Sequence, residues 1–365
     1  MTTTATPQEA PASPRSTRQK KTRSSGGSLW RYILIRFLLI FPTIFILVTL
    51  VFVLMRTTGD PITAAQGGRL PPDKLAELIA AAGYDRPLWQ QYIDYLAQLL
   101  RFDLGTTLTT NRPVAEVLIT YGPATFELVF FSVIVALIVG IPLGAVAAYY
   151  RDRGQDAILR VSAILFYATP VFFSGLLLKL VFAVWLKWLP VAGRASTGAE
   201  LQMMRLDNSS GFYTIDAFRT GNPAVIMDVL SHAVLPAIAL GLLTAGVFLR
   251  LVRTNMIGTL STDYVDAARS RGVSEFRLVR KHAFRPALIP IITVIGMQIA
   301  LLLGGAVLTE TTFEWKGLGF MLAQFLQSRD FVAVQGIVVL LAVIVALTNF
   351  LVDIVAAIID PRVRY

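Results

Sequence analysis

Hydrophobic and polar positions along this chain separate into long blocks. Six apolar runs, near residues 30–55, 123–150, 158–187, 229–252, 286–309 and 332–359, are each long enough to cross ~30 Å of hydrocarbon as a helix of about 20 residues. The pattern predicts an all-α, polytopic membrane fold with six transmembrane helices. Between the runs lie a long segment at 57–121, a short turn at 151–157, a middle loop at 188–228, a basic loop at 253–285 and a loop at 310–331.

The segment 57–121 is too patterned for a plain connection. Pro71-Pro72-Asp73 precedes Lys74–Ala82, which reads as a short helix ended by Gly83. Arg86-Pro87 precedes a second amphipathic helix, Leu88–Leu100, with Leu88, Tyr92, Tyr95, Leu96 and Leu99 on one face. The expectation is a small helical cap on one mouth of the bundle, or a helix pair lying on the membrane surface. Residues 1–28 carry five basic residues, one acid and no apolar periodicity, so a disordered tail is expected there. Leu29–Met55 exceeds the length of a signal-peptide core. Met55-Arg56-Thr57-Thr58 offers no small-residue cleavage site, so the run reads as a retained helix.

Composition agrees with the block pattern. The 365 residues are 55% hydrophobic and 15% charged, too apolar for a soluble domain of this size. No cysteine is present, which excludes disulfides, thiol catalysis and Cys-based metal sites. The net charge of +10 would suit nucleic acid, but its distribution follows a membrane. With both termini placed in the cytoplasm, the inside segments (the tail, 151–160, 250–285 and the last six residues) hold 18 Lys and Arg against 7 acids. The outside segments (57–121, 188–228 and 310–331) hold 10 against 14. The positive-inside rule thus predicts a cytoplasmic basic loop and an extracytoplasmic 57–121 segment.

The sequence contains no G-x-x-x-x-G-K-[ST], so it has no P-loop for ATP, and no H-E-x-x-H. His232 and His282 fall on opposite sides in this topology and do not share a metal. Charges within the spans are few, and Glu127, Lys179 and Asp353 are singled out among them. Each is expensive in lipid and is a candidate for a translocation pathway, although Glu127 and Lys179 lie near enough to the outer surface to snorkel. Gln298, Gln335 and Asn349 are milder pathway candidates. Glycines and prolines punctuate the spans. Close packing is expected at the glycines, and kinks at Pro142, Pro170 and Pro236.

The stretch Asp263–Pro290 organises the second half. Eight basic residues lie between Arg250 and Arg285, with a strongly apolar run on either side. Ser261 or Thr262 is placed to cap a short helix carrying Asp263 in its first turn. Gly272 is placed to end it, and Ser274 to cap a second helix through Glu275, Arg277 and Arg280. Two short helices joined at a glycine form a knob that fits a groove on another protein. The alternative is a solvated basic loop.

Asp266-Ala267-Ala268, three residues, Gly272 and then an apolar-proline segment resembles the EAA signature of ABC importer permeases. Further matches run in order through the chain: Gly59-Asp60-Pro61, Asp85-Arg86-Pro87-Leu88, Asp103-Leu104-Gly105, Arg112-Pro113-Val114, Pro170-Val171-Phe172, Trp188-Leu189-Pro190, His232 with Leu235-Pro236, Gly304-Gly305-Ala306, Glu310 with Phe313, Gly317-Leu318-Gly319 and Asp360-Pro361-Arg362. Together they resemble the first-permease subunit of dipeptide and oligopeptide ABC importers. Departures are Asp266 for glutamate, Arg285 before Pro286, Thr58 for proline, Phe102 for glycine and Lys316 for proline. The resemblance implies a transmembrane permease domain over 29–365 of the type I importer fold. It also implies a coupling helix involving Tyr264, Asp266, Ala267, Ala268, Arg271, Gly272, Ser274 and Glu275. The implied partners are a second homologous permease, two ABC ATPase subunits that bind ATP and Mg, an extracytoplasmic substrate-binding protein and membrane lipid, with no nucleic acid and no cofactor in this chain. The implied location is the bacterial inner membrane, multi-pass, with both termini cytoplasmic. The same machine carrying nickel chelates, glutathione or haem, an ion-coupled transporter or channel, and a membrane scaffold remain as alternatives at this point.

Overall fold

The computed structural model describes residues 29–68 and 70–359. The expected tail and the terminal Asp360-Pro361-Arg362 lie outside the described residues. All regular structure among the described residues is helical, apart from one isolated bridge between Thr106 and Pro113.

Among the described residues five helices are long and apolar enough to cross a membrane, or six if a bent pair is taken as one span. The five are α1 (Leu29–Thr57), α5 (Val114–Tyr149), α10 (Pro223–Leu260), α13 (Phe284–Phe313) and α15 (Phe331–Ile359). The cap contributes α2 (Pro61–Gln66), α3 (Pro72–Ala81) and α4 (Leu88–Leu100). The third apolar run is not one helix. It divides into α6 (Gly154–Ala168) and α7 (Val171–Leu178), the latter continued by a π-helical stretch Lys179–Trp185, with a bend of 106° between the two halves. The break has a local cause. Pro170 has no N–H to continue the ladder and forces Thr169 into extended backbone. The kinks expected at Pro142 and Pro236 do not interrupt helix, since α5 and α10 run through both.

Helix α10 is the hub, packed against α5, α6, α7 and α13. Its contact with α5 runs over glycines. A Cβ on Gly140 would lie 2.7 Å from Ala245 O and Phe248 Cβ; one on Gly144 would lie 2.7 Å from Leu249 O and Val252 Cβ; one on Gly241 would lie 2.7 Å from Ser132 O. Residue numbers rise together along this seam, so α5 and α10 are parallel. The chain must therefore return across the bundle between them, and the bent α6–α7 pair makes that crossing. The same geometry puts 57–121 and 188–228 at one end, called here the cap end. The turn 151–157 and the loop 253–285 share the other, basic end.

Asp156 fixes the return at the basic end. It is fully buried and receives Arg253 Nε and Nη2 at 2.6 and 2.7 Å, with Asp152 N at 3.1 Å. Helix α1 is peripheral and packs mainly on α15, where Arg36 meets Asp353 at 3.1 Å.

The cap helix α4 matches the expected bounds. Tyr92 packs tilted against Phe52 and Tyr95 stacks on it, with ring centroids 5.1 and 5.6 Å apart, and Tyr92 OH lies 2.6 Å from Thr49 Oγ1. Leu88, the first residue of α4, is 61% exposed and stays outside the packed part of this face. Gly83 ends the preceding segment at φ +74°, as the sequence suggests. Phe102, at the family's glycine position, takes φ +58°, a left-handed conformation that glycine adopts without strain. The cap is tied to α15 by Asp330, which accepts from Thr109 N at 2.9 Å and Thr109 Oγ1 at 2.8 Å.

The loop 188–228 folds into α8 (Thr197–Met204) and α9 (Tyr213–Arg219), which the apolar blocks do not announce. Asp216 is its knot. Burial alone would raise its carboxyl, but Ser209, Ser210 and Gly211 donate to it and hold it below the usual carboxylate range.

Two outcomes follow from this packing. Gly144→Ala, which must push helix backbones apart, should lower stability by about 1–3 kcal/mol, read as a fall in unfolding temperature of the detergent-purified chain. Gly258→Ala, with open space around it, should leave that temperature unchanged. Asp216 has a depressed folded pKa, so its contribution is present above the ordinary carboxylate pKa of roughly 4 and is lost as pH falls through the lower folded value. Asp216→Asn should therefore destabilise the chain at neutral pH. The gap from wild type should close on acidification below that range, as measured by melting curves across pH.

Candidate functional site

The basic end carries a projecting knob. Helix α11 (Asp263–Ser270) starts at Thr262, whose backbone is extended as an N-cap should be. Its hydroxyl does not cap; it donates to Thr259 O at 2.6 Å and closes the preceding helix instead. The acids Asp263 and Asp266 in the first turn supply the favourable charge at the helix N-terminus. Only Val265 on α11 is fully buried.

The end of α11 is a Schellman turn. Gly272 N donates to Arg269 O at 2.9 Å, and Val273 N donates to Ala268 O at 3.3 Å. Gly272 sits at φ +79° with nothing within 4 Å of where a Cβ would stand. The constraint on this residue is its backbone conformation, not space.

The second expected helix is shorter than predicted. Regular α-helix covers only α12 (Glu275–Arg277), and Ser274 precedes it without a side-chain cap. A π-helical stretch Leu278–Ala283 then carries the chain directly into α13. Arg280 thus belongs to the root of a membrane-crossing helix, not to a separate one. The physical reason is continuity of burial: Leu278 and Ala283 are fully buried against α10, so the backbone has no turn to make.

Arg269 joins the two parts of the knob. Its guanidinium bonds Asp266 on α11 and reaches Glu275 Oε1 at 2.6 Å. The Glu275 contact holds Arg269 above the usual arginine range. Of the candidate coupling residues, Tyr264, Asp266, Ala267, Arg271, Gly272, Ser274 and Glu275 are exposed and Ala268 is half-buried. Tyr264, Ala267, Ala268 and Arg271 fall three, four and seven residues apart and share one face of the helix. Behind the knob lies a groove of about 620 Å³, bordered by Tyr149, Arg151, Arg153, Asp266, Arg269 and Glu275.

The pathway candidates do not converge. Glu127 does not snorkel. It is 6% exposed and bonds Arg194 Nη2 at 2.6 Å and Thr214 N at 2.7 Å, anchoring the loop 188–228 to α5. Arg194 also donates to Gly211 O at 3.0 Å and lies 3.7 Å from the Tyr213 ring centroid. Lys179 donates to Thr312 O at 2.8 Å, satisfying a carbonyl at the end of α13. Gln298 is half-buried on α13 with Oε1 unpartnered, Asn349 is exposed on α15, and Gln335 lies apart from both, under the cap.

Arg194 was silent in the sequence, and Glu310 and Gly317 entered it only as matches to the family, without a role. Arg194 lies in a loop of small and polar residues, and its partner is 67 positions away. Glu310, fully buried, receives Thr125 Oγ1 at 2.7 Å and Phe320 N at 2.8 Å. It thereby caps α14 (Leu318–Gln327) and ties α13 to α5. A Cβ on Gly317 would lie 2.6 Å from this carboxylate, so the turn excludes larger residues. Among the described residues no group of three or more His, Asp or Glu is placed to hold a metal ion.

Comparison with known proteins agrees with this architecture. The chain is 38% identical over 340 residues to the dipeptide transport system permease protein DppB of Escherichia coli K12, covering 92% of this chain and 99% of the relative. It is 38% identical over 329 residues to the di/tripeptide permease DppB of Pseudomonas aeruginosa UCBPP-PA14, covering 90% and 96%. It is 32% identical over 335 residues to the glutathione permease GsiC of Salmonella choleraesuis SC-B67, covering 92% and 99%. A solved chain of the inward-facing MetNI methionine ABC transporter shares the fold, with a TM-score of 0.50 and 15% identity over 67% of this chain and 96% of that one. Residues 140–365 match the family described as binding-protein-dependent transport system inner membrane component. With that match, and with near-complete coverage of permease relatives, the chain belongs to the binding-protein-dependent transport system inner membrane component family.

Proposed function

We propose that this chain is one permease subunit of an ATP-driven importer of dipeptides and oligopeptides. The family and the names of the DppB relatives support the peptide cargo. The basic end faces the cytoplasm and the cap end faces outward, as the charge distribution favours. The observation that carries the mechanism is the knob at 263–277, exposed on one face and rooted directly in α13. An ABC ATPase subunit takes the face bearing Tyr264, Ala267 and Arg271. Movement of the ATPase is transmitted through the Arg269 staple and the buried Val265 and Leu278 into α13. A second homologous permease completes the pathway, and a substrate-binding protein delivers cargo at the cap end. ATP and Mg are held by the partners. The GsiC relative favours a second cargo reading, glutathione, which is itself a tripeptide-like substrate.

Orientation is tested with single cysteines in this cysteine-free chain. Ser274→Cys should resist an impermeant thiol reagent in intact cells, and Lys74→Cys on α3 should react. Reversal of the two results refutes the orientation.

Coupling is tested on the knob. Gly272→Val places a β-branched residue at φ +79°, a strain on the order of 1–3 kcal/mol. Ala267→Trp adds bulk to the exposed face without touching the core. Both variants should reach the membrane at wild-type level while binding-protein-stimulated ATP hydrolysis by the complex collapses. Wild-type stimulated hydrolysis in both removes the coupling role of this stretch.

A further inference from the structure

A second site lies at the cap end, where α1, α4 and α15 meet. A partly open cavity of about 380 Å³ lies between the end of α1, the inner face of α4 and the first turns of α15. That volume falls within the range of small-ligand pockets. Its walls hold an unusual concentration of unmet hydrogen-bonding groups. Of the eleven buried side-chain polar atoms without a partner among the described residues, five belong to residues that line this cavity: Arg56 Nε, Arg56 Nη1, Gln91 Oε1, Tyr95 Oη and Gln335 Nε2. Gln91 and Gln335 are more than nine-tenths buried. An unmet buried polar group costs about 1–3 kcal/mol, so five around one space point to an occupant.

The chemistry of that occupant follows from the donors. Arg56 is held in place by rings, with its guanidinium carbon 5.2 Å from the Phe52 centroid and 4.4 Å from that of Tyr84. These contacts orient the cation but leave two of its nitrogens free to donate. Gln335 interacts weakly with the Tyr95 hydroxyl, a contact that falls short of a well-formed hydrogen bond and leaves Tyr95 Oη and Gln335 Nε2 open to a better partner. Burial pushes the Tyr95 hydroxyl well above its ordinary range, so it remains a proton donor at neutral pH. The two acids in the wall are engaged elsewhere: Asp94 with Arg86 at 3.3 Å, and Asp103 Oδ1 with Gly105 N at 2.9 Å. We propose that this cavity binds a phosphate-type oxyanion, with Arg56, Tyr95 and Gln335 donating to its oxygens.

The favoured source is the phosphodiester of an acidic phospholipid. The cavity lies at the cap end of the membrane-crossing helix α1. The outer face of α4 supports this placement, since Trp89, Ile93 and Leu100 form an exposed apolar stripe and are 66%, 55% and 84% exposed. Such a stripe seats a helix in the membrane interface. Gln91 Oε1, the one unmet acceptor, suits a hydroxyl of a glycerol headgroup.

The experiment uses the full chain in its purified permease complex, in lipid nanodiscs, with unfolding temperature as the readout. One arm compares phosphatidylglycerol-containing with pure phosphatidylcholine discs. The other compares inorganic phosphate with chloride at equal ionic strength in phosphatidylcholine discs. Arg56→Gln and Gln335→Leu remove donors, and Arg101→Gln removes a nearby cap cation outside the cavity. The expected result is an upward shift with phosphatidylglycerol that is lost in Arg56→Gln and Gln335→Leu and kept in Arg101→Gln. A shift in the phosphate arm alone, lost in the same two variants, supports the site with a soluble oxyanion as its ligand. A shift that survives both variants, or no shift in either arm, overturns the proposal and leaves the cavity to water.

Discussion

The parallel contact between α5 and α10 is the constraint on which the rest depends. Within a bilayer, burying apolar surface between helices gains little, because lipid is equally apolar. Close backbone approach must supply the attraction, and only glycine at 140, 144 and 241 allows it here, since any Cβ would lie 2.7 Å from the facing helix. Two consecutive long helices running parallel oblige the chain between them to cross back. The bent α6–α7 pair and its break at Pro170 follow from that requirement.

Buried charge marks where this frame is pinned. Asp156–Arg253 closes the basic end, Glu127–Arg194 closes the loop 188–228 on the cap end, and Glu310 holds the α13–α14 turn. A buried charge that loses its partner is strongly destabilising, while the intact pair is close to neutral. These pairs therefore specify geometry more than they add stability. They join segments far apart in sequence, so each fixes one helix end to another.

The knob at 263–277 contrasts with these pins. Its ion pairs are exposed, and exposed pairs contribute little. What holds it is the Schellman turn at Gly272 and the two buried apolar residues, Val265 and Leu278. A small element fixed by backbone geometry and two anchors keeps its outer face available. The π-helical stretch behind it joins it to α13 without an intervening turn.

Much of this was legible in the residues themselves. Run length and hydropathy determined the number and placement of the apolar segments, because a bilayer imposes a minimum helix length whatever the neighbours. The order of short motifs determined the family, and the glycine after Asp266-Ala267-Ala268 located the turn of the knob, because positive φ restricts residue type. A kink at Pro170 was legible in the sequence; only the tertiary structure decided that the third run bends there by 106°, that Ser274 does not cap and that Arg280 belongs to the root of α13. It also placed Glu127 in a pair with Arg194 and Gln335 beneath the cap. The placements of Glu127 and Gln335 rest on partners and segments dozens to hundreds of positions away. Hydropathy reports how costly a buried charge or amide is; which group relieves that cost is set by where helix packing brings the chain together.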